Sequence, residues 1–150
     1  MSDPEPHTGA PSLDHPREQL QRIRALLKPG GVVMAIVPNA ASLVAMALHE
    51  RARMFSGYNH LTYFTPDTLA AIVERAGFVV RHLDTVLTGL DSILNYLQFA
   101  DPQGPLTLHY LPARWRERLA TEDGRQQIER LIQQFDLGLR VRIVAQRPVG

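Results

Sequence analysis

The 150-residue chain contains no cysteine. That excludes disulfides, thiolate nucleophiles and thiolate metal ligands, and makes a reducing cytoplasm the default compartment. It contains no apolar run near the roughly 20 residues that a membrane helix requires. Its formal net charge is only +1, so no strong field recruits nucleic acid or an anionic membrane. The N-terminal MSDPEPHTGAPSL lacks the basic and apolar pattern of a secretion signal. The ten glycines never fall as G-x-G, and no phosphate-binding loop is encoded. Histidines 49, 82 and 109 are far apart in sequence, without the H-x-x-x-H spacing of a metal site.

What remains is an ordinary globular composition, 45% hydrophobic and 21% charged. A chain of this length fits one domain and buries about 68–70% of its unfolded surface. Residues 1–13, acidic and proline-rich, read as a disordered lead-in. In HPREQLQRIRALL, Pro16 suits the first helical position, and Leu20, Ile23, Leu26 and Leu27 recur at helical spacing. Pro29 and Gly30-Gly31 stop that helix. Val32–Val37 is apolar at every position, the pattern of an interior strand buried on both faces. AASLVAMALHERARMF, from Ala40, suits a helix with a mixed face, and GYNHLTYF a loop. Thr65 is a good N-cap, with Pro66 at N1 and Asp67 in the first turn. Leu69, Ile72, Val73 and Ala76 form the buried stripe of that helix, which Gly77 closes.

Phe78–Leu87 reads as the next strand. His82 and Asp84 share one face of it and suit a solvated surface. Residues 89–137 change character: a short helix at DSILNYLQFA, a turn at DPQGP, and a helix across Pro112–Glu122. RWRERL, Arg114–Leu119, is a basic cluster whose Trp115 is expected to pack inward. It also suits an anionic substrate or a partner. Ile128, Leu131, Ile132 and Phe135 mark an amphipathic helix. Leu139–Gln146 alternates, with Leu139, Val141, Ile143 and Ala145 on the better-buried face.

Leu26-Leu27-Lys28-Pro29-Gly30-Gly31, Val37-Pro38-Asn39 with Ser42, His60-Leu61-Thr62-Tyr63-Phe64-Thr65 and Ala76-Gly77-Phe78 together carry a resemblance. The chain resembles the C-terminal half of class I S-adenosylmethionine-dependent methyltransferases over about residues 14–88, and again at the last strand. The resemblance implies an α/β, partial Rossmann-like fold. Its three strands would be the fifth, sixth and seventh of the family sheet, the seventh lying antiparallel between the other two. Residues 14–150 would form the C-terminal part of the domain, with a helical insertion at 89–137.

The family holds its cofactor on a glycine-rich turn after the first strand, where glycines admit the backbone close to the ligand. That turn is missing from this sequence. The expectation is therefore a truncated or split methyltransferase whose cofactor half lies upstream of Met1, and which does not bind S-adenosylmethionine alone. Methyl transfer needs alignment of nucleophile and methyl group, sometimes with a base. His60 is the candidate catalytic residue, to orient or deprotonate a substrate near neutral pH; it also suits a loop anchor. Asn39, Ser42 and Tyr63 are the candidate substrate-binding residues. Asn39 also suits a turn cap, and Tyr63 packing. Expected partners are the missing N-terminal half, or a second copy pairing along the open edge of the fifth strand. The rival expectation is a non-catalytic interaction module using that edge or the insertion. The methyl acceptor is a small molecule that no motif identifies.

Overall fold

The computed structural model describes residues 15–52, 55, 62–87, 89–98, 104–105, 108 and 111–150. The first helix, α1, covers Pro16–Leu26, followed by strand β1 at Val32–Pro38 and helix α2 at Leu43–Leu48. A single 3-10 turn at His49–Arg51 continues α2. Helix α3 is Pro66–Arg75, strand β2 Val79–Val86, and helix α4 Leu90–Leu97. Helices α5, Ala113–Leu119, and α6, Glu122–Gln134, precede strand β3 at Arg140–Gln146. Among the described residues no helix is long and apolar enough to cross a membrane.

The α/β class holds, and the strand order is β1-β3-β2 with β3 antiparallel to both neighbours. β1 and β2 therefore run in the same direction, and their carboxyl ends meet at one end of the sheet. Helix α3 forms where the sequence places it. Thr65 accepts from Thr68 N, the Thr68 side chain returns the bond to Thr65 N at 2.8 Å, and Pro66 fills the first turn. Gly77, at φ +89°, ends it with its carbonyl bonded to Arg24 Nε of α1 at 3.0 Å. Arg147, just after β3, donates to the carbonyls of Arg24 and Leu27, satisfying the last turn of α1.

Two apolar clusters form. The first lies between the sheet and α1 and α3. It contains Val37, Val141, Ile143 and Ala145 from the strands, and Phe64, Leu69, Val73, Ala76 and Phe78 from the α3 region. The second joins α2 to α4, α5 and α6 through Val44, Leu48, Leu90, Ile93, Leu119 and Ile132, with Leu139 at the start of β3. It sits over the end of the sheet where β1 and β2 finish.

Several expectations need correction. β1 is not buried on both faces: Val33, Ala35 and Val37 turn inward, whereas Val32, Met34 and Ile36 are 54%, 64% and 46% exposed. No described layer covers that second face. Leu26, Leu131 and Phe135 are exposed as well, because α1 and α6 are each packed along a narrower stripe than their periodicity suggests. The helix expected after Ala40 spans only Leu43–Leu48 before tightening. The expected helix over Pro112–Glu122 ends at Leu119, and the amphipathic helix after it already starts at Glu122, because Thr121 caps α6 by accepting from Gly124 N. Trp115 does not pack inward; it is 44% exposed.

Candidate functional site

The carboxyl ends of β1 and β2 are where ligands bind in open α/β sheets. Here that end is organised by Asp136-Leu137-Gly138, between α6 and β3. The end of α6 is closed by Asp136 N donating to Gln133 O and Leu137 N to Ile132 O at 2.9 Å. Asp136 adopts a left-handed conformation, φ +55°, that short polar residues tolerate. Gly138 then passes close to β2. A Cβ there would lie 2.8 Å from Val86 O and 3.0 Å from Thr85 Cβ, so only glycine fits. Its N–H donates to the buried Thr85 hydroxyl at 3.2 Å.

Asn39 ties this turn to β1. Its side chain is fully buried, and Nδ2 donates to Asp136 O at 3.0 Å and Gly138 O at 2.8 Å. Its Oδ1 accepts from Ala41 N at 2.9 Å. Both amide hydrogens are thus engaged with backbone, and the oxygen closes a tight turn. Ser42, also fully buried, caps α2 by accepting from Ala45 N at 3.2 Å. Ala40 N donates to Phe64 O at 2.8 Å, next to a parallel bridge between Asn39 and Phe64. This brings Tyr63 to the same end, its ring edge-on to Phe55 with centroids 4.9 Å apart. Asn39, Ser42 and the Tyr63 backbone therefore gather at one place. His60 lies outside the described residues.

The hydrogen bonds of Asn39 all go to the chain's own backbone, so what it does here is fix the turn at the strand ends. Among the described residues no group of three His, Asp or Glu side chains could hold a metal ion. The tight glycines do not cradle a cofactor either. A Cβ on Gly31, Gly77 or Gly138 would meet the chain's own atoms at 2.8 Å: Lys28 O, Arg24 Nε and Val86 O. Gly89 faces open space but stands alone. None of the three tight glycines opens its backbone to a ligand.

Two features had weaker sequence signals. Asp84 on β2 receives a two-pronged bond from Arg142 on β3, with Nε to Oδ1 at 2.9 Å, and His82 Nε2 lies 3.0 Å from Oδ2. The Arg142 hydrogen bond holds the Asp84 carboxyl below its usual value of 3.8; partial burial opposes this and His82 assists. The expected face-sharing of His82 and Asp84 on a solvated surface is present, with His82 exposed and Arg142 added as the ion-pair partner of Asp84. Its signal was Arg142 in the alternating last strand, legible only once the register is known. The second feature is at α4 and its C-cap, where Asn95 Oδ1 and Gln98 Oε1 are buried acceptors without a donor among the described residues.

Residues 11–83 match the sequence model of a family described as a methyltransferase domain. That segment, just under half of the chain, is similar to a methyltransferase domain. The matched segment runs from before α1 into β2, and so includes Asn39, Ser42, Tyr63 and the position of His60. Residues 84–150, with α4 to α6 and β3, lie beyond the match. No curated protein matches the chain. The matched segment thus supplies β1 and the 39–42 turn, and the residues after it supply the Asp136–Gly138 turn that fixes Asn39.

Proposed function

We propose that this chain is the substrate-side portion of an S-adenosylmethionine-dependent methyltransferase. In this reading β1, β2 and β3 are the fifth, sixth and seventh strands of the family sheet. The observation that carries the proposal is the convergence of Asn39, Ser42 and Tyr63 at the carboxyl ends of β1 and β2, beneath the second apolar cluster. Bound S-adenosylmethionine supplies the methyl group. Residues outside the given sequence, on the same polypeptide or another, hold it. This chain's residues orient the acceptor. Asn39 acts as a positioning residue that fixes the turn carrying Ser42, and Tyr63 lines the acceptor's approach. His60 orients the acceptor or takes its proton.

The open face of the sheet supports the division of labour. Val32, Met34, Ile36 and Val79 form an exposed apolar surface, and β1 has a ladder partner on one side only among the described residues. A cofactor-holding layer would cover both. Calorimetric titration of the given chain with S-adenosylmethionine is expected to give no binding heat. Micromolar binding overturns the proposal. In an active assembly, His60→Ala is expected to lower turnover without a matching loss of melting temperature; equal turnover returns His60 to a loop anchor.

The same exposed face favours a second reading, a non-catalytic module that pairs through β1. Methyl transfer by an assembly containing this chain, abolished when the chain is left out, separates the two.

A further inference from the structure

Helix α5 carries a feature that the methyl-transfer reading does not use. Arg114, Trp115 and Arg118 line a recess of about 360 Å³. That volume falls within the range of small-molecule sites. Arg114 and Arg118 are one helical turn apart, so their side chains lie over the same face, with Trp115 beside them. The indole is 44% exposed although it is the chain's single tryptophan and the largest apolar side chain available for burial. Neither guanidinium has a carboxylate partner among the described residues. The three ion pairs found there involve His82, Asp84, Asp91, Arg125 and Arg142. Glu117, on the same helix, pairs with neither.

The recess is held by its surroundings. Leu119 is 4% exposed and fixes α5 in the second apolar cluster. Gly124 lets α6 start directly against Arg118: a Cβ there would fall 2.1 Å from Arg118 O and 2.7 Å from Arg118 Cγ. Thr121 Oγ1 also donates to Arg118 O at 2.9 Å. The stem of Arg118 is therefore set by a tight helix–helix corner rather than left loose in solvent.

We infer that this recess binds a small planar anion, an aromatic ring bearing a carboxylate or a phosphate. The indole face offers stacking to the ring. The two planar guanidinium groups offer forked hydrogen bonds to the anionic oxygens, a geometry that suits carboxylate and phosphate alike. A cationic ligand would meet two uncompensated positive charges. An uncharged aromatic would leave both guanidiniums unused.

Trp115 is the chain's only tryptophan, so its fluorescence reports on the recess alone. The test titrates the full chain with 2-naphthoate, 2-naphthyl phosphate and the uncharged 2-naphthamide, with correction for probe absorbance. Saturable quenching by at least one of the two anions is expected, at least about tenfold tighter than by the amide. The tighter anion identifies the headgroup. Arg114→Ala with Arg118→Ala should abolish saturation while leaving the melting temperature unchanged, since both side chains are exposed. Arg118→Lys should weaken binding but retain some of it. Linear quenching, equal quenching by amide and anions, or unchanged saturation in the double variant overturns the inference. S-adenosylmethionine takes no part in this test, so its outcome is separate from that of the methyl-transfer proposal.

Discussion

The two faces of the sheet are made by the same three strands, yet they differ in what completes them. On the inner face, Val141, Ile143 and Ala145 of β3 are at most 2% exposed and pack against α3. On the outer face, Val32, Met34 and Ile36 of β1 stand in solvent beside Val144 and the Asp84–Arg142 pair of the neighbouring strands. Alternation along β3 is clean because three of its four outward residues, Arg140, Arg142 and Gln146, tolerate water, with Val144 the exception. Along β1 it is not, since every outward residue is apolar. A contiguous exposed apolar surface of this kind marks a contact waiting for another layer. The contrast teaches that the inner face is completed by helices of this chain, whereas no described layer covers the outer one.

The largest effect is expected on the inner face. Ile143→Ala should destabilise by about 3 kcal/mol, the cost of an aliphatic side chain lost from a packed core. Met34→Ala on the outer face should change stability by less than about 0.5 kcal/mol. Chemical denaturation measures both, and similar values would erase the contrast. Next in size is Asn39→Ala, where the two faces end. It strands the Asp136 and Gly138 carbonyls and the Ala41 N–H, and should cost about 2 kcal/mol by the same measurement.

A smaller effect, on association rather than folding, is expected from Met34→Lys with Ile36→Lys. The parent chain should form oligomers by light scattering, and the double variant should be closer to a monomer with little change in melting. A monomeric parent that melts cooperatively would mean that the outer face is already covered.

The smallest effect belongs to the polar part of the outer face. Asp84 has a carboxyl pKa lowered by the fold, so its contribution is present above 3.8 and is lost as pH falls through that value and on through the lower folded one. Arg142 stays protonated throughout. The melting difference between the parent and Asp84→Asn should therefore be small near neutral pH and vanish in acid. A difference that stays constant as pH is lowered from neutral through 3.8 and below would assign it to packing.

Elements with strong local chemistry were legible in the sequence. Thr65, Pro66 and Gly77 bracket α3 as read, because caps and breakers act within a few residues. The buried face of β3 was read correctly from its alternation. The burial of β1 was misread because apolar residues on both faces state what a strand suits, not what the chain provides. Trp115, Leu131 and Phe135 were misplaced for a related reason: helical periodicity names a stripe, but the neighbouring helix decides how wide a stripe is covered. At the candidate site, Asn39 and Ser42 were visible as residues. Their partners were not, since Asp136 and Gly138 lie 97 and 99 positions away from Asn39. The pairing of Asp84 with Arg142, 58 positions apart, was hidden by the same distance.

The position of β3 between β1 and β2 has a consequence for how the protein forms. Every ladder in the described sheet involves the last strand, so within that sheet β1 and β2, though made first, have no ladder partner until Arg140–Gln146 arrives. During synthesis the apolar β1 must wait, with helices able to form locally around it, while about a hundred further residues leave the ribosome. Contacts of that sequence separation are slow to close, and unpaired strands left in waiting are prone to aggregate. The described sheet can therefore close only once its last strand is made.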